Sequence, residues 1–418
     1  MSEIVLVLRP EMRSWKINMK IQPQGKLAFL TNLKMKNIHQ LRHFKLYLDN
    51  VCSDANLDLI TEWKEDITGL GIRLKSPFLV HLENLECLDV LEFSGINNDG
   101  MKNILQTHRS SLQRLALEPT ALDDKKVSKK KDRSGSASIN SPLPHLISLN
   151  LNKFPIYPYH HRRHFPDIFN IARNISVLQL SKNVIVGAGE DFELPNLRQL
   201  RIEGFRNIKV LYDNAQTVEI LSINASDGYK WEKFDKGQSF PNLELLACEY
   251  DDREIVEVLE KLLEAKTDAL KHLLLRSRSN DGEFSDEEFM EYDALTIGDM
   301  TLTSIVFDNF SERAQGIVDG SIETLETIAI NMEEDHMKAP DLPPNLPQLK
   351  EIVLTATTKY KLDIVMGQSY IQEMRETYPH AKIRVEKTDD EVSYANAVMK
   401  KHGADKLMNL SGKWFDCY

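Results

Sequence analysis

The sequence has few cysteines and no long hydrophobic run. Its four cysteines, Cys52, Cys87, Cys248 and Cys417, stand far apart among 418 residues, with no CxxC pair and no Cys/His spacing that suits a metal. This pattern predicts neither a disulfide framework nor a structural zinc site, and it favours a reducing compartment, the cytoplasm or the nucleus. No window approaches eighteen consecutive apolar residues, so no membrane-spanning helix is expected. The start of the chain is typical of a first strand and not of a secretion signal.

The motifs of the common enzyme classes are also missing. The chain has no GxSxG, GxxxxGK[ST], HExxH or GxGxxG sequence, each of which would position a nucleophile, a phosphate, zinc or a dinucleotide. The acidic clusters at 286–288 and 333–335 fall in connecting segments, where solvated faces are common. The histidines of 160–164 flank two arginines, which repel a cation. The sequence therefore predicts a protein that is not an enzyme and that holds no cofactor or metal.

Charge is distributed unevenly along the chain. The net charge is −11, but residues 1–200 carry 27 Lys+Arg against 21 Asp+Glu, whereas residues 201–418 carry 25 against 42. An acidic C-terminal half repels phosphate backbones. The charge pattern thus favours protein partners over nucleic acid.

One short phrase, apolar-x-x-apolar-x-apolar, recurs along the chain in fourteen copies, from Leu30/Leu33/Met35 to Leu349/Ile352/Leu354. From the copy that begins at Ile67 to the copy that begins at Leu349 there are eleven steps over 282 residues, a mean of about 25.6 residues. Several copies share a Pro two residues before their first apolar residue, in LPHL at 143–146, LPNL at 194–197, FPNL at 240–243 and LPQL at 346–349. The repeated phrase, its period and the proline before several copies together predict a leucine-rich-repeat solenoid.

The alternation within the phrase predicts a short strand whose two apolar side chains share one face. Because one such turn cannot bury its own face, each turn needs neighbours above and below. Helical periodicity at Asp54–Ile67, Asp99–Gln106 and Asp252–Ala265 predicts that some return segments are helices. A helix is also predicted at Ile364–Tyr378, followed by an edge strand at Ala381–Val385. The predicted fold class is α/β, a solenoid with a parallel inner sheet and outer helices.

The loose repeats and their Pro-Asn-Leu phrase resemble the leucine-rich repeats of F-box proteins over roughly residues 26–385. The asparagine usual three positions after the last leucine is mostly absent, with Asn183 as one of few candidates. The F-box itself, a three-helix segment that opens with Leu-Pro, has no counterpart at the start of this sequence. The resemblance implies a substrate-binding solenoid, with the Skp1 and cullin machinery as partners if an F-box lies upstream.

The predicted organisation has three parts. Residues 1–25 form an N-terminal cap, residues 26–385 form the solenoid, and residues 386–418 form a C-terminal tail. A basic, serine-rich insertion at about 123–142 is either a nuclear-import or regulatory segment or a solvated loop, and its candidate residues are Lys129, Lys130, Lys131, Ser134 and Ser136. The tail segment 407–418 carries three aromatic residues in its last five. We expect that it docks on the solenoid, caps the last turn or anchors a partner.

The residues that flank the second and third apolar positions are expected to face the concave side of the sheet, where a partner would bind. In five consecutive turns the residue between these two positions is apolar, which predicts either simple strand preference or a partner-binding stripe. The candidate partner-binding residues are Arg114, Asn150, Gln179, Arg201, Ala247, Leu274, Val306, Ala329 and Val353.

The predicted function is a non-catalytic scaffold for protein–protein interaction, with substrate recognition in an SCF-type ubiquitin ligase as its specific form. The alternatives are a regulator similar to leucine-rich-repeat GTPase activators and a nuclear structural subunit.

Overall fold

The structure is a computed structural model of the whole chain. It describes residues 4–7, 14–20, 33–36, 43–49, 67–74, 87–93, 106–117, 142–151, 172–180, 193–203, 208–224, 239–250, 262–263, 269–277, 300–307, 312–331, 342–356, 369–387, 398–399 and 401. The chain divides into two compact units, Met1–Leu197 and Arg198–Tyr418. The predicted boundaries at residues 25 and 385 stay a prediction.

Parallel strands build the first unit. They are β1 (Ile4–Val7), β2 (Ser14–Lys20), β3 (Leu33–Lys36), β4 (His43–Asp49), β5 (Ile67–Leu74), β6 (Cys87–Phe93), β7 (Arg114–Leu117), β8 (Ser148–Leu151) and β9 (Val177–Leu180). Strand β2 lies beside β4, and β4 to β9 then follow one another in chain order. Each of these strands is parallel to its neighbour, which is the arrangement expected of successive turns of a solenoid.

The N-terminal strands differ from the predicted order. The phrase at Leu30/Leu33/Met35 forms β3, but β3 pairs with β1 in a separate two-stranded sheet. The place beside β4 is taken by β2, whose Trp15 and Ile17 lie in register with Phe44 and Leu46. The alternation in Trp15–Met19 carries the same apolar-x-apolar signal as the repeats, so either strand could have filled this place.

The second unit continues with one strand per turn. Its elements are β10 (Gln199–Glu203), α1 (Ile208–Asp213), β11 (Ile220–Asn224), β12 (Leu245–Tyr250), β13 (His272–Ser277), β14 (Ser304–Phe307), α2 (Glu312–Asp319), β15 (Thr327–Asn331), β16 (Glu351–Ala356), α3 (Ser369–Thr377) and β17 (Lys382–Lys387). Strands β10 to β17 are all parallel and pair in chain order. The predicted edge strand is confirmed as β17.

The repeated phrase forms the core of both units. Its second apolar residue stacks in register from turn to turn, as in the pairs Leu200–Leu221 and Leu246–Leu273. These residues are fully buried, and so are almost all described residues at the first and third positions. At about 25 cal/mol per Å² of buried apolar surface, this stack is the main stabilising term of each unit. The structure confirms a parallel-strand solenoid.

A turn with a buried apolar residue precedes many of the strands. The N–H of the first apolar residue of the phrase donates to the carbonyl three residues earlier, as in Leu146 to Leu143, Leu197 to Leu194, and Leu243 to Phe240. Proline stands at the second position of each turn, where its fixed φ suits a β-turn. The residue that opens each turn is buried in every one of these cases. The repeating unit therefore has a fourth apolar position, three residues before the predicted phrase.

Side-chain hydrogen bonds connect these turns from one repeat to the next. The amide of Asn174 donates to the Pro144 carbonyl (2.7 Å), and the amide of Asn196 donates to Asn174 Oδ1 (3.3 Å). In the second unit the amide of Asn242 donates to the Gln216 carbonyl (2.7 Å). We call Asn174, Asn196 and Asn242 the amide ladder. The predicted position of a ladder residue, Asn183, lies outside the described residues.

Helices are few in the described part of the chain. Helix α3 confirms most of the helix predicted at Ile364–Tyr378, whereas α1 and α2 lie in segments for which no helix was predicted. Most residues of the helices predicted at Asp54–Ile67, Asp99–Gln106 and Asp252–Ala265 lie outside the described residues. Ile67 is the first residue of β5 and not the last of a helix. No helix in the described ranges is long and apolar enough to cross a membrane.

Candidate functional site

The predicted binding residues of the second unit form one continuous column across the sheet. Each is the residue between the second and third apolar positions of its phrase, and register places these residues side by side. The column consists of Arg201, Ser222, Ala247, Leu274, Val306, Ala329, Val353 and Arg384. We call it the middle column. Ser222 and Arg384 were not among the predicted residues, although the phrase Val218/Leu221/Ile223 already marked Ser222.

In the first unit the structure brings together two of the three predicted residues. Asn150 on β8 lies directly beside Gln179 on β9. Arg114 is not the neighbour of Asn150, because register pairs Arg114 with Ser148 and Ala116 with Asn150. Arg114 therefore lies two residues before Ala116, which is the residue of β7 that aligns with Asn150.

The apolar residues of the middle column are buried. The exposed fraction is 0% for Ala247, Leu274 and Val353, 1% for Ala329 and 9% for Val306. Their strand neighbours that point to the opposite face are buried too, so this part of the sheet is covered on both faces, as is usual for parallel sheets. These five residues are therefore closed to solvent in the structure. Their role in partner binding is not tested by burial and stays a prediction.

The middle column begins with a buried ion pair. Arg201 and Glu203 lie two residues apart on β10 and thus on the same face, with Arg201 Nη2 3.2 Å from Glu203 Oε1 and only 1% and 9% of their side chains exposed. The two groups are close enough for an ion pair but are not aligned as a hydrogen bond. Register places Glu203 beside Asn224, which is also buried. A buried pair of this kind is costly to break by removing one partner.

The middle column ends with a second, more exposed charge cluster. On β17, Arg384 Nε lies 2.7 Å from Glu351 Oε1, and Arg384 Nη1 lies 2.7 Å from Glu386 Oε1. About a third of each side chain is exposed, so solvent screens the pairing. Arg384 connects the last strand of the sheet to β16.

A row of exposed charges follows the strand starts of the second unit. Each member is the residue directly after the first apolar position of its phrase. The row consists of Arg198, Glu219, Glu244, Lys271, Glu326 and Lys350. We call it the charged row. Neighbouring turns form three ion pairs, Arg198–Glu219 (3.3 Å), Lys271–Glu244 (3.5 Å) and Lys350–Glu326 (2.7 Å).

The charged row is exposed and is therefore accessible to a partner. Roughly half of each of its side chains is exposed, and such pairs add little to stability. From turn to turn the order of charges is positive, negative, negative, positive, then an uncharged Thr303, then negative and positive. Such a surface supplies specificity for a partner with the complementary order of charges.

Asn150 and Gln179 are buried, and three of their four side-chain amide atoms lack hydrogen-bond partners within the described ranges. Gln179 is 1% exposed and Asn150 is 6% exposed. Gln179 Oε1, Gln179 Nε2 and Asn150 Oδ1 have no hydrogen-bond partner in the part of the chain that the structure describes. Buried polar groups are normally paired, so these two residues are the most unusual feature of the first unit.

Several predicted features lie outside the described residues. These include the loop residues Lys129, Lys130, Lys131, Ser134 and Ser136, the histidines at 160–164 and the tail at 407–418. In the described ranges there is no group of three His, Cys, Asp or Glu residues that could hold a metal ion. Cys248 is buried.

Comparison with known proteins identifies no relative of this chain. No family model matches the sequence, and no curated protein matches it either. The fold is therefore described from its strands alone, as a solenoid of parallel strands with one strand per repeat.

Proposed function

We propose that this chain is a non-catalytic scaffold for protein–protein interaction, built as an irregular leucine-rich-repeat solenoid. The observation that supports the proposal is the register of the repeats, in which every strand from β10 to β17 pairs with the next in chain order. A stack of this kind repeats the same surface position once per turn. The fold thus provides a long, ordered surface with independently variable positions, which suits recognition of another protein.

The charged row is the surface that we assign to this recognition. Its ion pairs contribute at most about 1 kcal/mol each to stability, so the order of charges can vary between proteins at little cost to the fold. A partner with the opposite order would gain from electrostatic complementarity in rate and specificity. The acidic character of the C-terminal half favours a partner with basic residues along its contact surface.

The specific form of the proposal is substrate recognition in an SCF-type ubiquitin ligase. It rests on the resemblance of the Pro-Asn-Leu phrases to those of F-box leucine-rich-repeat proteins, and it places the protein in the cytoplasm or the nucleus. Co-purification of Skp1 and a cullin with the chain would support this form. The two alternatives are a GTPase-activator-like regulator, which stimulated GTP hydrolysis would favour, and a nuclear structural subunit.

The test of the scaffold function is affinity capture with a charge-swapped variant. In the double variant Lys271→Glu with Glu244→Lys, the ion pair is preserved while its order on the charged row is inverted. The matched control swaps Lys209 and Asp213, an ion pair on α1 with 3.1 Å between its atoms that lies outside the row. Both variants keep the net charge of the chain.

We expect wild type and the α1 swap to capture the same set of proteins, as measured by quantitative mass spectrometry. The variant with the inverted row pair should lose members of that set while keeping the thermal midpoint of wild type. Equal capture by all three proteins would show that the charged row is not the recognition surface. Capture of nothing above empty beads by wild type would overturn the scaffold function itself.

A further inference from the structure

Strand β17 is the last strand of the sheet in the second unit. One of its sides pairs with β16, and no strand in the described part of the chain pairs with its other side. In a parallel ladder, alternate residues direct their main-chain groups to the same neighbour. The N–H of Lys382 donates to the Lys350 carbonyl at 2.8 Å, so the even-numbered residues of β17 face β16. The N–H and C=O groups of the odd-numbered residues face the other side, and these residues are Ile383, Val385 and Lys387.

The apolar residues of β17 are less covered than their counterparts on β16. Register places Ile383 beside Ile352 and Val385 beside Leu354. Ile352 and Leu354 are fully buried, whereas Ile383 and Val385 are half-buried. The last strand therefore presents partly accessible apolar side chains together with a row of main-chain donors and acceptors. An edge of this kind is a template for pairing with another strand.

We propose that two copies of this chain pair through β17, in antiparallel orientation about a two-fold axis at Val385. In this register Val385 lies opposite Val385 of the second copy, and Arg384 of each copy lies opposite Glu386 of the other. The odd-numbered residues of β17 then all fall in hydrogen-bonded pairs, in which two opposite residues exchange both of their N–H···O=C bonds. This inference goes beyond the proposed function and does not depend on it.

The charges of β17 favour a second copy as the occupant of this edge. Arg384 and Glu386 share one face of the strand, and 33% and 39% of their side chains are exposed, so both charges are accessible to a second copy. Opposite residues that are not hydrogen-bonded to each other lie closest, with about 4.5 Å between their Cα atoms. In the register centred at Val385 these closest pairs join Arg384 to Glu386, which is stabilising.

The neighbouring register is unfavourable for the same reason. A two-fold axis at Arg384 would place the two copies of Arg384 directly opposite each other, and like charges in this position are destabilising. Charges on an edge strand usually discourage pairing. On β17 their order is complementary to itself, which is what the interface of a two-fold dimer requires.

The experiment measures the mass of the full chain by light scattering, at concentrations from the micromolar to the millimolar range. We expect wild type to change from monomer to dimer as the concentration rises. Glu386→Arg and Arg384→Glu should each raise the dissociation constant of the dimer by about tenfold or more, because each places like charges opposite each other. An equal mixture of the two variants should form dimers again, because every one of these pairs then joins opposite charges. A variant that failed to fold could not produce this recovery.

Two further variants serve as a control and as a test of the main-chain contact. Glu376→Arg, at an exposed position of α3, changes the charge by the same amount and should leave the dimer intact. Val385→Pro removes the N–H at the centre of the contact. Because this N–H faces away from β16, the substitution removes no hydrogen bond between β17 and β16, and we expect loss of the dimer with the circular dichroism of wild type. If Val385→Pro does not fold, the mixture of the two charge variants decides.

A wild type that stays monomeric at every concentration would overturn the proposal, and so would a dimer that both charge variants leave intact, because it would form through another surface. Dimers that appear only after residues 407–418 are removed would assign the edge to the tail of the same chain and would also overturn it. Protein capture by a monomeric wild type that Val385→Pro abolishes would assign the edge to a strand of another protein, with the same consequence. Capture by the charged-row variants is a separate measurement, so the dimer and the scaffold function fail independently.

Discussion

Truncation of Leu274 tests whether the sheet of the second unit is covered on both faces. Leu274 lies between Ala247 and Val306 in the middle column and is fully buried. In a leucine-rich repeat with an open concave face this position would meet water, and its truncation would change the free energy of unfolding by no more than about 0.5 kcal/mol. The burial predicts a much larger effect.

The expected loss for Leu274→Ala follows from the atoms removed. Three carbons at about 0.8 kcal/mol each give roughly 2.4 kcal/mol for transfer alone. The cavity that remains brings the total to about 2.7 to 5 kcal/mol. In a unit of 221 residues, counted from Arg198 to Tyr418, a loss of about 3 kcal/mol lowers the thermal midpoint by roughly 6 to 12 °C.

The assay is a thermal scan by circular dichroism, with hydrogen exchange of β13 as a local measurement. The local measurement is needed because stacks of repeats do not always unfold in one step. Leu273→Ala, on the opposite face of the same strand and also fully buried, sets the scale, and Lys271→Ala, an exposed neighbour, sets the background. If Leu274→Ala behaves like Lys271→Ala while Leu273→Ala is severely destabilised, the middle column faces water and the reasoning fails.

Three further substitutions test contacts that the structure describes. Arg201→Met should lower the free energy of unfolding by about 3 to 5 kcal/mol, because it leaves Glu203 buried without its cation. Adding Glu203→Leu should restore most of that stability. The measurement is urea unfolding, and a double variant that is no more stable than Arg201→Met would contradict the prediction. Asn196→Leu should lower the free energy of unfolding by up to about 1 kcal/mol and speed hydrogen exchange in residues 172–180, because it breaks the amide ladder. Unchanged exchange in these residues would argue against the ladder. Thr324→Val should cost about 1 kcal/mol in the thermal scan through the lost bond from Oγ1 to the Leu302 carbonyl (2.8 Å), whereas Thr324→Ser, which keeps the hydroxyl, should lose less.

The strands of the solenoid could be predicted from the sequence because their signal is local. Alternation at Leu200 and Ile202 places both side chains on one face without knowledge of any other turn. Repetition of the phrase then fixes the pairing, because a shift of one residue would move every apolar side chain to the opposite face. For the same reason six of the eight residues of the middle column were predicted, all except Ser222 and Arg384.

The exposure of the middle column could not be predicted, because it depends on what lies above the sheet. The sequence shows that Leu274 alternates with Leu273 and Leu275, but an apolar residue at this position fits both an open binding stripe and a second buried face. The pairing of β3 with β1 was not predicted for a related reason. The sequence of a strand does not show whether its partner is the next strand along the chain or a more distant one. The partnerless Gln179 likewise becomes visible only when its surroundings are known.

The pairing of β10 to β17 in chain order has a consequence for how the chain can change in length. Each strand from β11 to β16 pairs with the strand before it and the strand after it, and β17 pairs with β16. Loss or duplication of one whole repeat would bring two equivalent phrases together, and the stacked leucines would meet again in register. Loss of a single residue within a strand would instead turn the following side chains to the wrong face. The gene can therefore lengthen or shorten this solenoid in complete repeats, but a deletion that shifts a strand by one position is incompatible with the fold.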